Sequence, residues 1–183
     1  QVMVHDGEFV KAWFHSYSGG HTATAKEGLN YQEEEPGFIK TAEFEKDSRI
    51  PEEHRFWTVS IPTEEVSSGL RERGIDIGEL RQVNIVERGP SGRATMLHVT
   101  GTGGTEDMHA ADFRIAVGPE KLKSTLVEEM RVEGGNLVAR GSGYGHGVGL
   151  SQWDAFWMAE DGQSAEQILN NFFQDIQIRS VWD

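Results

Sequence analysis

The residues most able to do chemistry lie in two glycine-rich segments, 15–22 and 142–152. In the second, glycines alternate with single residues from Gly141 to Gly149 and hold one tyrosine and one histidine between them. Glycine permits positive φ and close backbone approach, so this spacing predicts a loop folded tightly against a neighbour. A structural crossover, in which His146 only satisfies a backbone carbonyl, is the alternative. The apolar residues that follow predict a buried helix: Leu150, Trp153, Phe156 and Trp157.

The two segments offer hydroxyls, imidazoles and backbone amides, which are groups that hydrogen-bond sugars. Strand-like sequence precedes both, so we expect them to line one cleft, in which Tyr144 or Trp153 stacks on a pyranose ring. A role as turn former or helix cap is an equal alternative for each hydroxyl. The predicted binding residues are His15, Ser18, Gly19, Gly20, His21, Thr22, Tyr144, Gly145, His146, Gly147, Ser151 and Gln152.

Other kinds of site find less support in these residues. His15 and His21 are not spaced as a standard zinc pair and the chain has no cysteine, so we predict hydrogen-bonding roles for both and no cofactor. Neither segment contains the G-x-S-x-G serine elbow. Neither contains an acid. Asp154 lies nearest, and a role as a first-turn acid favoured by the helix dipole is an equal alternative to a chemical role for it. The residues therefore predict binding, and we assign none of them a catalytic role.

Composition limits the partners. The net charge of −13 argues against nucleic acid and against adsorption to anionic lipid, because both need a basic surface. No apolar run reaches the ~18 residues of a membrane span. The chain starts at Gln1, directly in strand-like sequence, so we expect it to be a piece from which any targeting segment has been removed.

The predicted fold class is α+β, mainly antiparallel sheet with several short helices, in one domain with room for two lobes. Asp6-Gly7 predicts a hairpin of strands 2–5 and 10–14. Residues 23–50 are expected to be irregular and solvated. The other predicted strands are 56–61, a meander of 83–88, 94–100 and 105–109, a hairpin of 124–132 and 137–140, and a final strand at 176–181. The predicted helices are one from Pro62 that ends at Gly74, one at 110–117, one at 151–159 with Ser151 as N-cap, and one at 165–173.

Residues 143–153 resemble the C-terminal motif of the stage II sporulation protein D family, which also includes amidase enhancers. Residues 16–22 are similar to the S-x-S-G-G-x-T loop of that family. The resemblance covers nearly all of residues 1–183 as one stage II sporulation protein D-like domain. Further similar segments follow in the family's order: 56–59, 90–93, 100–102, 113–114 and 122–125.

The resemblance implies a peptidoglycan lytic transglycosylase that cleaves denuded glycan strands during cell-wall remodelling or sporulation engulfment, with one general acid/base forming a 1,6-anhydro end. In the family that group is a glutamate in a helix upstream of the first loop. No segment here resembles that helix, so we expect it to precede Gln1 and this chain to be the substrate-binding body, inactive alone. The family usually has glycine where Asp154 stands, and some members hold zinc through Cys and His.

The same resemblance implies an extracytoplasmic location on the cell-wall side of a bacterial membrane. Its expected partners are peptidoglycan glycan strands and other cell-wall hydrolases, with membrane contact only through a segment outside this sequence. Two alternatives remain. One is a non-catalytic amidase-enhancer module that docks a hydrolase, and the other is a carbohydrate-binding module.

Overall fold

The computed structural model describes residues 1–180, which form an α+β fold of mostly antiparallel strands, as predicted. The described helices are α1 Ala25–Leu29, α2 Glu52–Arg55, α3 Thr63–Arg71, α4 Ala110–Val117, α5 Gln152–Glu160 and α6 Ala165–Phe172. The described strands are β1 Val2–His5, β2 Glu8–Phe9, β3 Phe14–His15, β4 Phe56–Pro62, β5 Leu80–Arg88, β6 Ala94–Gly101, β7 Thr105–His109, β8 Val127–Glu133, β9 Asn136–Ser142, β10 Leu150–Ser151 and β11 Gln177–Arg179.

Two three-stranded antiparallel sheets build the larger core. One has the order β4-β9-β8 and the other is the predicted meander β5-β6-β7. Helices α3 and α4 cover them and bury Val66, Leu70 and Phe113. The alternation of apolar and polar residues along β4 and β6 explains why both strands were predictable, since one face of each is buried.

A second hydrophobic cluster lies beneath the glycine-rich loop. Val148 from that loop packs there with Ile168, Phe172 and Phe173 and with Ala23, which follows the glycine-rich segment 15–22. The loop is thus anchored from below by an apolar side chain that projects into this core.

The N-terminal hairpin is shorter than predicted. Asp6 and Gly7 both have positive φ, as a type I′ turn requires, but the return strand is Glu8–Phe9 and not 10–14. After one further bond, from Val10 N to Met3 O, the chain leaves β1 and Phe14–His15 pairs in parallel with β10. Strand β11 occupies the other edge of β1; its predicted end, Val181, lies outside the described residues.

Two short helices appear where none was predicted. Helix α1 lies inside the segment expected to be irregular, and the Thr24 side chain caps it by accepting from Glu27 N. Helix α2 is a single turn that begins after Pro51. Such short helices carry too few apolar residues for a periodic pattern, and packing supplies their stability. No described residue lies in a helix long and apolar enough to cross a membrane.

Candidate functional site

The first loop (15–22) and the second loop (142–152), which the sequence predicts to line one cleft, contact each other directly. Tyr17 and Tyr144 exchange both backbone hydrogen bonds, with N–O distances of 3.0 and 2.9 Å. Further along, Ala23 N donates to Gly147 O at 2.8 Å, and Trp153 N donates to Ser16 O at 3.0 Å. Backbone hydrogen bonds at three points therefore hold the first loop against the second.

The alternating glycines make this contact close. Gly147 has φ +86°, and a Cβ there would collide with the guanidinium group of Arg93. Gly145 has φ +110°, and a Cβ there would lie 2.6 Å from His15 Cβ. Both positions need a residue without a side chain, for backbone conformation and for space.

Arg93 is the buried support of the first loop. It is completely buried, and it donates to Ser18 O at 2.6 Å and to His21 O at 2.7 Å, the carbonyls on either side of Gly19-Gly20. It also donates to Ser91 Oγ at 2.9 Å, and Ser91 Oγ donates in turn to the buried Glu27. Burial lowers the pKa of Arg93 to about 10, and the Glu27 carboxylate opposes that shift. Arg93 thus stays charged at neutral pH.

A second buried network joins the first loop to α5. Ser18 N donates to Ser151 Oγ at 3.0 Å, and Ser18 Oγ donates to Asp154 Oδ2 at 2.6 Å. Ser151 stands at the N-cap position of α5, but its hydroxyl makes no capping bond to the helix and serves Ser18 instead. Asp154 is 6% exposed, and burial raises its pKa, which hydrogen bonds from Ser151 and Ser18 partly offset. It lies in the first turn of α5, as expected, and it is also a buried acceptor for Ser18.

His15 and His146 bond the two backbone polar groups of the same residue, Val148. His15 Nδ1 donates to Val148 O at 3.1 Å, while Val148 N donates to His146 Nδ1 at 3.1 Å. The two ring centroids lie 5.6 Å apart. Burial lowers the pKa of His146 to about 4, with Arg114 adding to the effect, and burial also lowers the pKa of His15. Both rings are therefore neutral at pH 7.

The remaining predicted binding residues divide by burial. Thr22 is fully buried and its hydroxyl accepts from Ala42 N at 2.8 Å. Direct ligand contact by the side chains of His15, Ser18, Thr22 and Ser151 is not available in this structure, because all four are buried and bonded to protein. The predicted residues that reach the surface in whole or in part are Gly20, His21, Tyr144, Gly145, His146 and Gln152.

The outer face of the site is aromatic. The ring of Tyr144 stacks near that of His54 at 6.0 Å, and His54 lies 5.3 Å from Trp153. Phe156 and Trp157 continue the contact at 5.8 and 5.0 Å. We call these five rings the aromatic row. Lys123 Nζ lies 5.4 Å from the Tyr144 ring centroid.

The aromatic row corrects the expectation of a buried α5. Phe156 is 49% exposed, Trp153 and Trp157 are partly exposed, and Asp154 is the buried residue of the helix. Contiguous exposed aromatic side chains are unusual on a protein surface without a partner. Sequence reasoning did not find His54, since only the tertiary packing of α2 brings it to Tyr144. It also did not find the role of Arg93, although residues 90–93 are among the segments similar to the stage II sporulation protein D family.

Two grooves flank the loops. Gly19, Gly20 and His21 line one of 460 Å³ together with Ser142. His21 Nδ1 lies 3.9 Å from Glu43 there. The other, of 560 Å³, runs between residues 44–49 and α5. Within residues 1–180, no three His, Cys, Asp or Glu side chains are grouped to hold a metal ion.

Comparison with known proteins places the chain. It is 27% identical to stage II sporulation protein D of Bacillus amyloliquefaciens over 97% of this chain and 47% of that protein. The Bacillus subtilis protein of that name is 24% identical over 97% of this chain and 48% of its own length. An amidase enhancer of Bacillus subtilis is 32% identical over 76 residues, 42% of this chain and 11% of that protein.

The chain spans about half the length of the stage II sporulation protein D relatives it matches. These similarities support the resemblance seen in the two loop motifs. A family model matches residues 20–149, which include the larger core and the alternating glycines of residues 141–149. The chain is thus related to stage II sporulation protein D and belongs to the family described as Domain of unknown function (DUF8618).

Proposed function

We propose that this chain binds a glycan strand of peptidoglycan along the aromatic row, outside the cytoplasmic membrane, in cell-wall remodelling or sporulation. The observation that supports the proposal most is the aromatic row itself. Its partly exposed rings lie beside the glycine-rich loop, and buried contacts hold the backbone of that loop in place. Pyranose faces are apolar and pack on aromatic rings, while hydroxyls at the sugar edge need polar neighbours. Gln152 and Lys123 supply such neighbours beside the rings.

The buried residues of the two loops support this surface. Arg93, Ser18 and Ser151 use their polar groups inside the protein, so the loop backbone does not have to reorganise when a ligand binds. A preorganised surface binds more tightly, because less conformational entropy is lost on association. The net charge of −13 also fits a neutral polymer better than a polyanion.

The names of the relatives support a cell-wall role, and the family resemblance extends it to lytic cleavage. The chemistry of the loops favours binding over cutting in this chain. Cleavage needs a group that gives and takes a proton near the working pH. His15 and His146 are held neutral, so neither has a proton to give a leaving oxygen at pH 7. A strand-binding body and an amidase-enhancer module share the glycan contact and differ in whether a partner hydrolase does the cutting.

Binding to hexa-N-acetylchitohexaose, measured by calorimetry, tests the proposal. A ring face covers about 50 Å² of apolar surface, which at ~25 cal/mol per Å² is about 1.3 kcal/mol, or about 10-fold in affinity. Trp153→Ala and Tyr144→Ala should each weaken binding by about that factor. Phe9→Ala is the matched control, because Phe9 is 73% exposed on β2, outside the row. Equal affinity for all four proteins would refute the proposal.

A further inference from the structure

The groove beside the first loop is not used by the glycan contact on the aromatic row. It has a volume of 460 Å³, and Gly19, Gly20 and His21 of the loop line it. Lys46 and Arg88, which stands at the end of β5, also line it. The apolar part of the lining consists of Phe44, Leu126 and Val127. The groove therefore brings cations, loop backbone and apolar side chains together.

The charges that line this groove are unevenly paired. The two carboxylates, Glu43 and Glu128, each lie within 3.9 Å of a histidine or arginine nitrogen. Within residues 1–180, neither Lys46 nor Arg88 forms an ion pair. Arg88 donates from Nη1 to Gly92 O at 2.9 Å, and the rest of its guanidinium group is left for a ligand. Both kinds of cation bind carboxylates through charge-assisted hydrogen bonds, so an acid is the partner that they lack.

The motif glycine Gly20 fixes the position of one of these cations. A Cβ at Gly20 would lie 3.2 Å from both Cγ and Cε of Lys46, so the lysine chain lies directly across the glycine. Gly20 O also accepts from Phe44 N at 2.9 Å, which holds the segment before Lys46 against the loop. Any side chain at position 20 would displace the lysine. The first loop thus places an ammonium group at the groove.

A backbone donor without an acceptor lies in the same lining. Gly19 is buried, and within the described part of the chain its N–H makes no hydrogen bond. The C=O and N–H groups of a trans peptide point in opposite directions. Because Arg93 donates to Ser18 O, the Gly19 N–H points away from Arg93. Buried backbone N–H groups are nearly always bonded, so an acceptor in the groove would supply the missing partner.

An apolar side chain lies beside these donors. A Cβ at Gly19 would lie 2.6 Å from Leu126 Cδ2, and a Cβ at Gly92 would lie 3.7 Å from Leu126 Cδ1. The Leu126 side chain therefore extends from the first loop to the turn after Arg88. A methyl group on Leu126 is removed from water while an adjoining acid reaches the cations. The lining thus suits a small acid that carries a methyl group.

We propose that this groove binds a carboxylate of peptidoglycan whose neighbouring carbon carries a methyl group. Two parts of the polymer have this structure. One is the lactyl group of a muramic acid without a stem peptide, and the other is the terminal alanine of a stem peptide. The carboxylate accepts from Lys46, Arg88 and the Gly19 N–H, and the methyl group packs on Leu126.

The inference rests on the proposed function, because the groove lies next to the aromatic row. Ser142 lines the groove, and Tyr144, two residues later, belongs to the row. A strand on Tyr144 therefore brings its substituents to the groove. The net charge of −13 still disfavours a polyanion as a whole. One carboxylate between two cations is a local contact, which that charge weakens and does not prevent.

Calorimetry at about 0.15 M salt, comparing acids with their amides, tests the proposal. The glycan pair is the peptide-free tetrasaccharide of alternating N-acetylglucosamine and N-acetylmuramic acid, and the same sugar with its lactyl carboxylates converted to methylamides. The peptide pair is diacetyl-Lys-D-Ala-D-Ala and its C-terminal amide. We expect the acid to bind about 10-fold more tightly. A preference in the glycan pair identifies the lactyl group, and one in the peptide pair alone identifies the terminal alanine; both support the site.

Lys46→Gln and Arg88→Gln each remove one of the two cations. Both side chains are exposed, so the melting temperature should change little. Each variant should lower the preference for the acid several-fold, and the double variant should abolish it. Arg73→Gln is the matched control, because Arg73 is an exposed cation after α3 that does not line the groove. It should retain the full preference, which separates direct contact from long-range attraction.

The outcomes separate the two proposals. Equal affinity for acid and amide in both pairs refutes the carboxylate site. If N-acetylchitohexaose still binds in that case and Trp153→Ala weakens it, the aromatic row stands without the groove. A preference that the double variant of Lys46 and Arg88 leaves intact would also overturn the site. If the hexamer does not bind while the preference for the acid persists, the proposed function along the aromatic row fails and the acid site stands separately.

Discussion

Arg93 is the residue on which the first loop should depend most. Its three hydrogen bonds to Ser18 O, His21 O and Ser91 Oγ are all made inside the protein. Arg93→Met keeps much of the side-chain volume and removes every donor. Gly147 packs against the guanidinium, so little space remains for water to replace it. The two carbonyls would stay buried without partners.

The size of the loss follows from these contacts. An unsatisfied buried group costs about 1–3 kcal/mol, and removal of one partner from a buried ionic network costs about 3–5 kcal/mol. The terms overlap, since Glu27 is coupled to Arg93 through Ser91. We expect the free energy of unfolding to fall by about 3–5 kcal/mol in total. For a chain of this size that lowers the melting temperature by about 6–20 °C.

Thermal unfolding followed by circular dichroism measures this effect. Arg88→Met is the matched control, because Arg88 is exposed at the end of β5, just before the same turn, and within residues 1–180 its side chain donates only to Gly92 O, at 2.9 Å. It should cost about 0.5 kcal/mol or less. Arg93→Lys should fall between the two, since one ammonium cannot reach both carbonyls. The reasoning fails if Arg93→Met is no less stable than Arg88→Met.

Two further predictions concern the histidines. The folded state holds the pKa of His146 near 4 against 6.5 in the unfolded chain, so below pH 6.5 the unfolded state binds more protons. The free energy of unfolding should therefore fall by about 1–3 kcal/mol as the pH drops from 6.5 to 4. His146→Gln should make the melting temperature depend less on pH over this range. An unchanged pH dependence in that variant would contradict the prediction. Because both histidines are neutral, the chain should release no 1,6-anhydro product from peptide-free glycan strands at pH 7. Mass spectrometry measures this product, and its clear presence would show that another group of the chain serves as the acid.

Local sequence signals predicted most of the fold. The meander β5-β6-β7 is bounded by glycine turns, and Pro62 and Gly118 mark helix boundaries that tertiary contacts did not override. The errors occur where pairing is non-local. Phe14–His15 leaves its hairpin to pair with Leu150–Ser151, far along the chain, and no local pattern encodes that choice.

The candidate site was predictable in place but not in orientation. Glycine spacing predicted a loop folded tightly against a neighbour, and the strand-like sequence before both loops predicted that they come together; in the structure they contact each other. Residue type left two roles open for the serines, ligand contact or a structural role as turn former or cap, and predicted that the aromatic residues of α5 face the core. In the structure Ser18 bonds Asp154 inside the protein, while Phe156 lies at the surface. Which way a side chain points depends on partners that sequence spacing does not reveal.

The serines of the polar motif point inward and the aromatic side chains of α5 point outward. The polar motif and the proposed binding surface therefore consist of different residues. Backbone groups of a tightly folded loop must be satisfied wherever water is excluded. Ser18, Ser151 and Arg93 satisfy these groups for the first loop with hydroxyl and guanidinium groups that bond inside the protein. Recognition is left to rings that need no internal partner. A change at Trp153 should therefore alter ligand binding with little effect on folding, whereas a change at Ser18 should disturb both.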